Sequence, residues 1–236
     1  MALILNIETA TEVCSVALAT DGKLIDYLEN TEGKSHAALL TVFIEELLKK
    51  NKVSPKQLDA IAVSSGPGSY TGLRIGVSVT KGLCYGTSKP LIAVSTLQSM
   101  AIGFIHQLAA EQKSEFSNTW FCPMIDARRL EVYTALFDGK GEFQSEISAK
   151  IIDEASFGAI IREKKVVFFG NGSDKCKDII KHPNAIFQSG FCASAKDMIG
   201  LSVQEFRRKN FKDVAYFEPY YLKDFVATIP RNKVLK

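Results

Sequence analysis

Hydrophobic and polar positions in the first half of the chain predict strands first and a strand–helix alternation after them. Residues 3–9 (Leu-Ile-Leu-Asn-Ile-Glu-Thr) read as one strand and 12–20 as a second, joined by a tight Thr9-Ala10-Thr11 turn. Asp21-Gly22 is a hairpin signal, because both residues tolerate positive φ, and it leads into a third strand over about 23–30. A helix is expected from about Ser35, a plausible N-cap, to Asn51. A buried strand at 58–64 then runs into Gly66-Pro67-Gly68-Ser69-Tyr70-Thr71-Gly72 and a helix reaching about Gly86. A short strand (Leu91–Val94) and a helix over about 95–110 close this half.

The second half repeats the opening. Ile7-Glu8, Glu12-Val13-Cys14-Ser15-Val16-Ala17-Leu18 and Asp21-Gly22 have counterparts in Ile125-Asp126, Glu131-Val132-Tyr133-Thr134-Ala135-Leu136 and Asp138-Gly139, at offsets of 117–119 residues. A helix over about 153–163 and a strand at Val166–Phe169 lead to Gly170-Asn171-Gly172, echoing Gly66-Pro67-Gly68. Three features in the same order argue for a duplicated β-β-β-α-β-α unit. Short turns make the first three strands antiparallel, and the later alternation favours parallel addition. The expected architecture is α/β, with lobes at 1–115 and 116–236.

The helix at 35–51 carries too much apolar surface for one partner. Ala37, Leu39, Leu40, Phe43, Ile44, Leu47 and Leu48 fill an arc of roughly 180°, where a single core-facing stripe needs somewhat more than about 100°. The next helix has small-residue pairs at i,i+4, Gly72/Gly76 and Gly82/Gly86, which allow close approach of another element. Leu39, Leu40, Phe43, Ile44, Leu47, Gly72, Gly76 and Leu83 are therefore candidates for a partner face. The chain's own sheet is the competing occupant.

Composition narrows the class. Of 236 residues, 46% are hydrophobic and 23% charged, which excludes disorder, collagen, a coiled coil and membrane spans. Five widely spaced cysteines form no C-x-x-C pair, and the only histidines are at 36, 106 and 182. Reduced thiols are expected, and neither a disulfide framework nor a metal site. Met1–Glu8 lacks the basic region of a secretory leader, so the cytoplasm is the expected compartment. Net charge is only +3, but residues from 201 onward hold 8 basic against 4 acidic side chains, including Arg207-Arg208-Lys209. Such a cluster is either a solvated helix face or a contact for an acidic partner.

The loops carry the candidate chemistry. Hydroxyls and backbone N–H groups in tight turns can hold phosphate oxygens, so Thr9, Thr11, Gly66, Gly68, Gly170 and Gly172 are candidates for nucleotide contact. Glu8 and Asp126 are candidates for paired carboxylates across a cleft. The ordinary alternatives are conformational glycines and hydrogen-bonded turn residues. The Gly66 loop lacks the ending of a P-loop and is one residue off the dinucleotide spacing, and Ser69 is not in a nucleophile elbow.

Ile4-Leu5-Asn6-Ile7-Glu8-Thr9-Ala10-Thr11-Glu12-Val13-Cys14-Ser15-Val16-Ala17-Leu18 resembles the opening of the TsaB (YeaZ) family, and so does Ser65–Gly76. Asp126-Ala127-Arg128-Arg129, Glu131-Val132-Tyr133 and Pro219-Tyr220-Tyr221-Leu222-Lys223 are similar to that family as well. The likeness is strong over about residues 1–100 and patchy beyond. It implies an actin-like ATPase fold with two duplicated lobes, the second reduced. It also implies a part in placing threonylcarbamoyl on the adenosine beside the anticodon of ANN-decoding tRNAs. The homologous subunit TsaD performs that transfer with a V-N-H-L-E-G-H metal motif. Here the aligned stretch is Val94-Ser95-Thr96-Leu97-Gln98-Ser99-Met100, so Thr96 and Met100 replace both histidines and Gln98 the glutamate. A hydroxyl and a thioether do not replace two imidazoles as ligands, which implies a non-catalytic paralogue. The resemblance further implies a homodimer alone, a heterodimer with TsaD through the two helices above, and recruitment of the TsaE ATPase. No cofactor is firmly implied beyond ATP or ADP at the complex interface. Glu8 stands where many relatives have Asp. The competing expectation is a small-molecule kinase of the same fold using Glu8 and Asp126; a peptidase is a weaker third.

Overall fold

A computed structural model of the chain describes residues 1–33, 36–111 and 118–223. Its first sheet contains β1 (Leu3–Glu8), β2 (Cys14–Thr20), β3 (Lys23–Asn30), β4 (Ala60–Gly66) and β5 (Leu91–Ser95), in the order β3-β2-β1-β4-β5. The first two pairings are antiparallel, and β4 and β5 add in parallel. Asp21 and Gly22 both take positive φ (49° and 84°), so the Asp-Gly turn forms as the residue types predict. Helices α1 (His36–Lys50), α2 (Tyr70–Thr87) and α3 (Thr96–Ala110) follow the expected bounds within three residues at each end, and the expected Ser35 cap lies outside the described residues.

The second sheet repeats the first. Its strands are β6 (Trp120–Asp126), β7 (Glu131–Thr134), β8 (Ser148–Ile151), β9 (Val166–Phe169) and β10 (Ala185–Gln188). Read from β8 the order is β8-β7-β6-β9-β10, with two antiparallel and then two parallel pairings. Each central strand ends on a carboxylate, Glu8 or Asp126. The fourth strand of each lobe leads into a glycine of positive φ: β4 ends on Gly66 (106°), and Gly170 (96°) directly follows β9. A side chain at Gly66 would meet the Tyr220 carbonyl, and one at Gly170 the Met124 carbonyl, so close packing as well as φ selects glycine. The duplication thus extends from residue pattern to strand order.

Helical content is not duplicated. The helix expected over 153–163 shrinks to α4 (Gly158–Ile161), and Gly170–Gly172 leads only to a one-turn 3-10 segment, Asp174–Cys176. Aromatic packing takes over: Phe168 stacks on Phe187 and meets Phe157 edge-on, while Phe169 stacks on Phe104 of α3 at 4.1 Å between ring centres. Strands β8 and β10 and helix α5 (Ile199–Arg207) were not foreseen.

The first sheet is covered on both faces. Odd-numbered β1 residues Leu5 and Ile7 pack with Leu40, Ile44, Leu47 and Leu48 of α1 and with Val77 and Cys84 of α2. The other face is alanine-rich (Ala2, Ala17, Ala19, Ala60, Ala62), which lets α5 and the 3-10 turn Ala195–Met198 lie close against it. That turn is tied down by the Ala195 N–H donating to Ser15 Oγ (2.8 Å) and by Ser194 Oγ donating to Glu29 Oε2 (2.6 Å).

The expected lobe at 116–236 is therefore divided by packing. After β10 the chain returns to the first sheet and stays there. Lys212 N donates to Leu91 O (2.9 Å), Lys81 Nζ to Ala215 O (2.8 Å) and Phe217 O (3.1 Å), and Tyr220 N to Ser65 O (2.7 Å). Val214 and Phe217 join the first-sheet core, and burial of that apolar surface draws this segment across. Lys223 then reaches Glu131 on β7, so the segment straps the two sheets together. Among the described residues no helix is long and apolar enough to cross a membrane.

Candidate functional site

The two carboxylate-ended strands and the two glycine loops meet between the sheets. Glu8 is wholly buried, and its Oε1 accepts from Ala10 N at 2.6 Å. Oε2 has no hydrogen-bond partner among the described residues. Burial pushes the carboxyl up to about 7, against the opposing effect of the Ala10 N–H and the nearby Ser64 hydroxyl. Thr9 N donates to Ser64 Oγ (3.3 Å) and Val13 N to Thr11 Oγ1 (3.3 Å), so the turn satisfies its own donors. Thr9 is fully buried and Thr11 nearly so.

Helix α2 presses its glycines onto this turn. A Cβ at Gly68 would lie 2.3 Å from Ala10 O, one at Gly72 2.1 Å from Thr9 O, and one at Gly76 2.2 Å from Thr9 Oγ1. The Gly72/Gly76 notch expected on the surface is filled by Thr9. Leu40, Ile44 and Leu47 are likewise inside the core of their own lobe. These five residues are corrected from partner face to internal packing, because the sheet needed the width of apolar surface that looked surplus on the helix alone. Leu39, Phe43 and Leu83 remain half-exposed. Beside them lie Val42, 52% exposed, and Gly82 and Gly86, where a side chain would enter open space.

Asp126 contrasts with Glu8. Its carboxylate is half-exposed, pairs with Lys175 and accepts from Arg128 N at 3.0 Å. Its backbone N–H donates to Asn171 Oδ1 (3.0 Å), and Asn171 Nδ2 donates to Glu12 Oε2 in the first-lobe turn. Asn171 thus ties the two loops directly. Glu8 and Asp126 bond neither each other nor a common partner among the described residues, so the paired-carboxylate expectation is not realised in these contacts. Glycines 66, 68, 170 and 172 all turn their open side onto the chain itself: a Cβ at Gly172 would lie 2.9 Å from Asp126 N. They make no open phosphate cradle, and the residues present do not fit a nucleotide as the sequence suggested. Cavities of about 570 Å³ (Phe143–Ile147 and Tyr220) and 400 Å³ (Thr134, Lys150, Phe157 and neighbours) lie elsewhere.

The positions aligned with the metal motif are interior. Thr96 is fully buried with Oγ1 unpartnered, and Met100 sits in the core between the sheets, against Gly170. Gln98 Nε2 donates to Gly141 O at 3.2 Å. Thr96 Oγ1, Met100 Sδ and Gln98 supply no set of donors that fits a metal ion.

Asn171, Lys175 and Asp197 were missed. Burial pushes Asp197 up to about 7, with Lys196 opposing and Glu29 and Glu8 adding. Its carboxylate lies where a Cβ of Gly103 would be, 2.2 Å from Cγ. A glycine in mid-helix, costing about 0.5–1 kcal/mol against alanine, was the available signal. Asn171 stood between two noted glycines, and its reach to Glu12 was a matter of tertiary placement.

A duplicated α/β protein of actin-like fold, with its glycine loops packed against its own chain, is the class that fold and site define. Residues 29–235 match the family described as TsaD, tRNA N6-adenosine threonylcarbamoyltransferase. The chain is 32% identical over 234 residues to the tRNA threonylcarbamoyladenosine biosynthesis protein TsaB of Escherichia coli K12, covering 95% of this chain and 96% of that one. It is 29% identical to the Bacillus subtilis TsaB over 81% of this chain and 80% of the relative. A Pseudomonas aeruginosa structure, described as similar to peptidase YEAZ, superposes with TM-score 0.79 at 26% identity, covering 94% of this chain and all of that one. The activator of 2-hydroxyisocaproyl-CoA dehydratase from Clostridium difficile shares the fold, with TM-score 0.50 at 7% identity over 89% of this chain and 98% of that one. The chain belongs to the TsaB (YeaZ) family.

Proposed function

We propose that this chain is a non-catalytic scaffold of the machinery that adds threonylcarbamoyl to the adenosine 3′ of the anticodon in ANN-decoding tRNAs. In this reading it dimerises with itself when alone, exchanges that contact for a 1:1 heterodimer with TsaD, and the pair recruits TsaE. Family membership supports the place in tRNA threonylcarbamoyladenosine biosynthesis. The single observation that carries the non-catalytic part is the interior packing of Thr96 and Met100, which leaves no ligand set at the positions where the homologous subunit keeps its histidines. ATP or ADP, if used, is held at the complex interface and not by the glycine loops of this chain.

The half-exposed apolar strip on α1 and α2 is the association face in this proposal. Leu39, Val42 and Phe43 offer side chains, while Gly82 and Gly86 leave room for a second helix to come close. Light scattering of the chain alone and mixed with TsaD tests it. A homodimer converting to a 1:1 heterodimer is expected, and Gly82→Arg with Gly86→Arg is expected to abolish both while the monomer stays folded, since a Cβ at either position meets nothing within 4 Å. ATP turnover by the isolated chain with a small acceptor would instead favour the kinase reading.

A further inference from the structure

Two motifs remain without a role: Arg128-Arg129, in the β6–β7 turn, and Tyr220 in the strap. Both arginines take left-handed backbone, φ 72° and 50°, where glycine or asparagine is usual. The turn is held in that shape by Arg128 N donating to Asp126 Oδ1 and by Glu131 N donating to Arg128 O (3.1 Å). Both arginines are exposed. The acids at the foot of the turn are already matched, Asp126 by Lys175 and Glu131 by Lys223. Neither guanidinium has an ion-pair or hydrogen-bond partner among the described residues. Two uncompensated, planar, doubly donating cations on a fixed turn suit phosphate.

The strap extends this surface. Lys223 sits at the foot of the turn, and Tyr220, three residues earlier, lines the open cavity of about 570 Å³. Across that cavity is Phe143, braced on Phe137 at 4.6 Å between ring centres. Both rings are held yet half-open, Tyr220 at 49% and Phe143 at 41% exposure, and the Tyr220 backbone is anchored to Ser65. The Tyr220–Lys223 segment, about 10 Å of chain, runs from the two exposed rings at one end of β7, where Glu146 also lines the cavity, towards the unpaired arginines of the turn at its other end. That combination recognises single-stranded polynucleotide, where phosphates meet cations and bases stack on rings.

We propose that the Arg128–Arg129 turn and the Tyr220–Phe143 cavity form one strip that binds single-stranded RNA, with phosphates at the turn and a base against the rings. This rests on the chain's place in a tRNA-modifying assembly, and it assigns this chain its own RNA contact.

The test is filter binding of a tRNA transcript with an ANN anticodon across a salt series, using the full chain assembled with TsaD, with light scattering on the same samples. Arg128→Asn with Arg129→Gly supplies residues that suit the turn's dihedrals, so folding is favoured. It is expected to weaken binding about tenfold and to lower the slope of log affinity against log salt by about one to two. Tyr220→Ala is expected to weaken binding at least about fivefold with the slope unchanged. Arg207→Ala with Arg208→Ala removes the same charge elsewhere and is expected to leave the slope alone. An unchanged slope in the turn variant with assembly intact overturns the proposal, as does an equal loss in the Arg207/Arg208 control. Lost assembly in the turn variant also overturns it, and assigns the turn to the protein interface. Displacement of the transcript by millimolar ATP from the wild type but not from the turn variant would identify a free nucleotide as the occupant and overturn the RNA claim. If the wild-type chain ignores TsaD, the scaffold reading fails separately, and the same titration on the chain alone decides the strip.

Discussion

The two lobes share one strand order and differ in what covers it. The first sheet is sandwiched by α1, α2 and the strap on one face and by α3, α5 and the Ala195–Met198 turn on the other. The second, with only α4 and short 3-10 turns of its own, relies on stacked phenylalanines and on α3 borrowed from the first half. The same difference runs through the equivalent carboxylates. Glu8 is sealed under a helix that fits only because Gly68, Gly72 and Gly76 lack side chains, whereas Asp126, beside a loop with no long helix, stays half-exposed and holds a lysine. A retained strand topology therefore does not preserve the environment at its strand ends; the covering helix sets it.

That comparison can be broken most directly at its glycines. Gly68→Ala drives a methyl to 2.3 Å from Ala10 O and is expected to cost about 3 kcal/mol or more, read as a lowered denaturant midpoint. The matched change in the other lobe, Gly172→Ala, meets Asp126 N at 2.9 Å and is expected to cost about 1 kcal/mol. Equal losses would mean that the two loops are packed alike after all.

The carboxylates give the next largest contrast. Glu8 is raised from 4.5 to about 7 on folding, so the folded state holds its proton more tightly than the unfolded chain. Its contribution is full below about pH 4.5 and is lost as pH rises through about 7. Glu8→Gln removes that loss. The variant is expected to gain up to about 3 kcal/mol over the wild type at pH 8 and nothing near pH 4.5, as followed by urea melts at the two pH values. A pH-independent difference would sink the account of a buried, unpartnered carboxyl. Asp126→Asn touches a half-exposed ion pair and is expected to change stability by less than about 1 kcal/mol at any pH. Lys223→Ala is the smallest, within about 0.5 kcal/mol by the same melts, because the lysine is itself 40% exposed and the pair is screened by water.

Much of this was legible in order along the chain. The Asp21-Gly22 hairpin, the alternating strands and the repeat of Glu8 by Asp126 predicted the duplicated unit, since short-range turn chemistry and burial period act locally. Less was legible at the site. The width of the α1 stripe showed that it had much to bury and not against what, and the strap took Leu91 and Ser65 as partners from 121 and 155 residues away in sequence.

By itself the sequence determined the strand frame of the first lobe, most of that of the second, and the duplication, because residue type and spacing govern each. Only the tertiary structure decided that the Gly72/Gly76 notch belongs to Thr9, that residues 193–223 return to the first sheet, and that Glu8 is shut in while Asp126 is open. Those outcomes depend on which distant surface excludes water best, and competition among distant surfaces leaves no local mark on the chain.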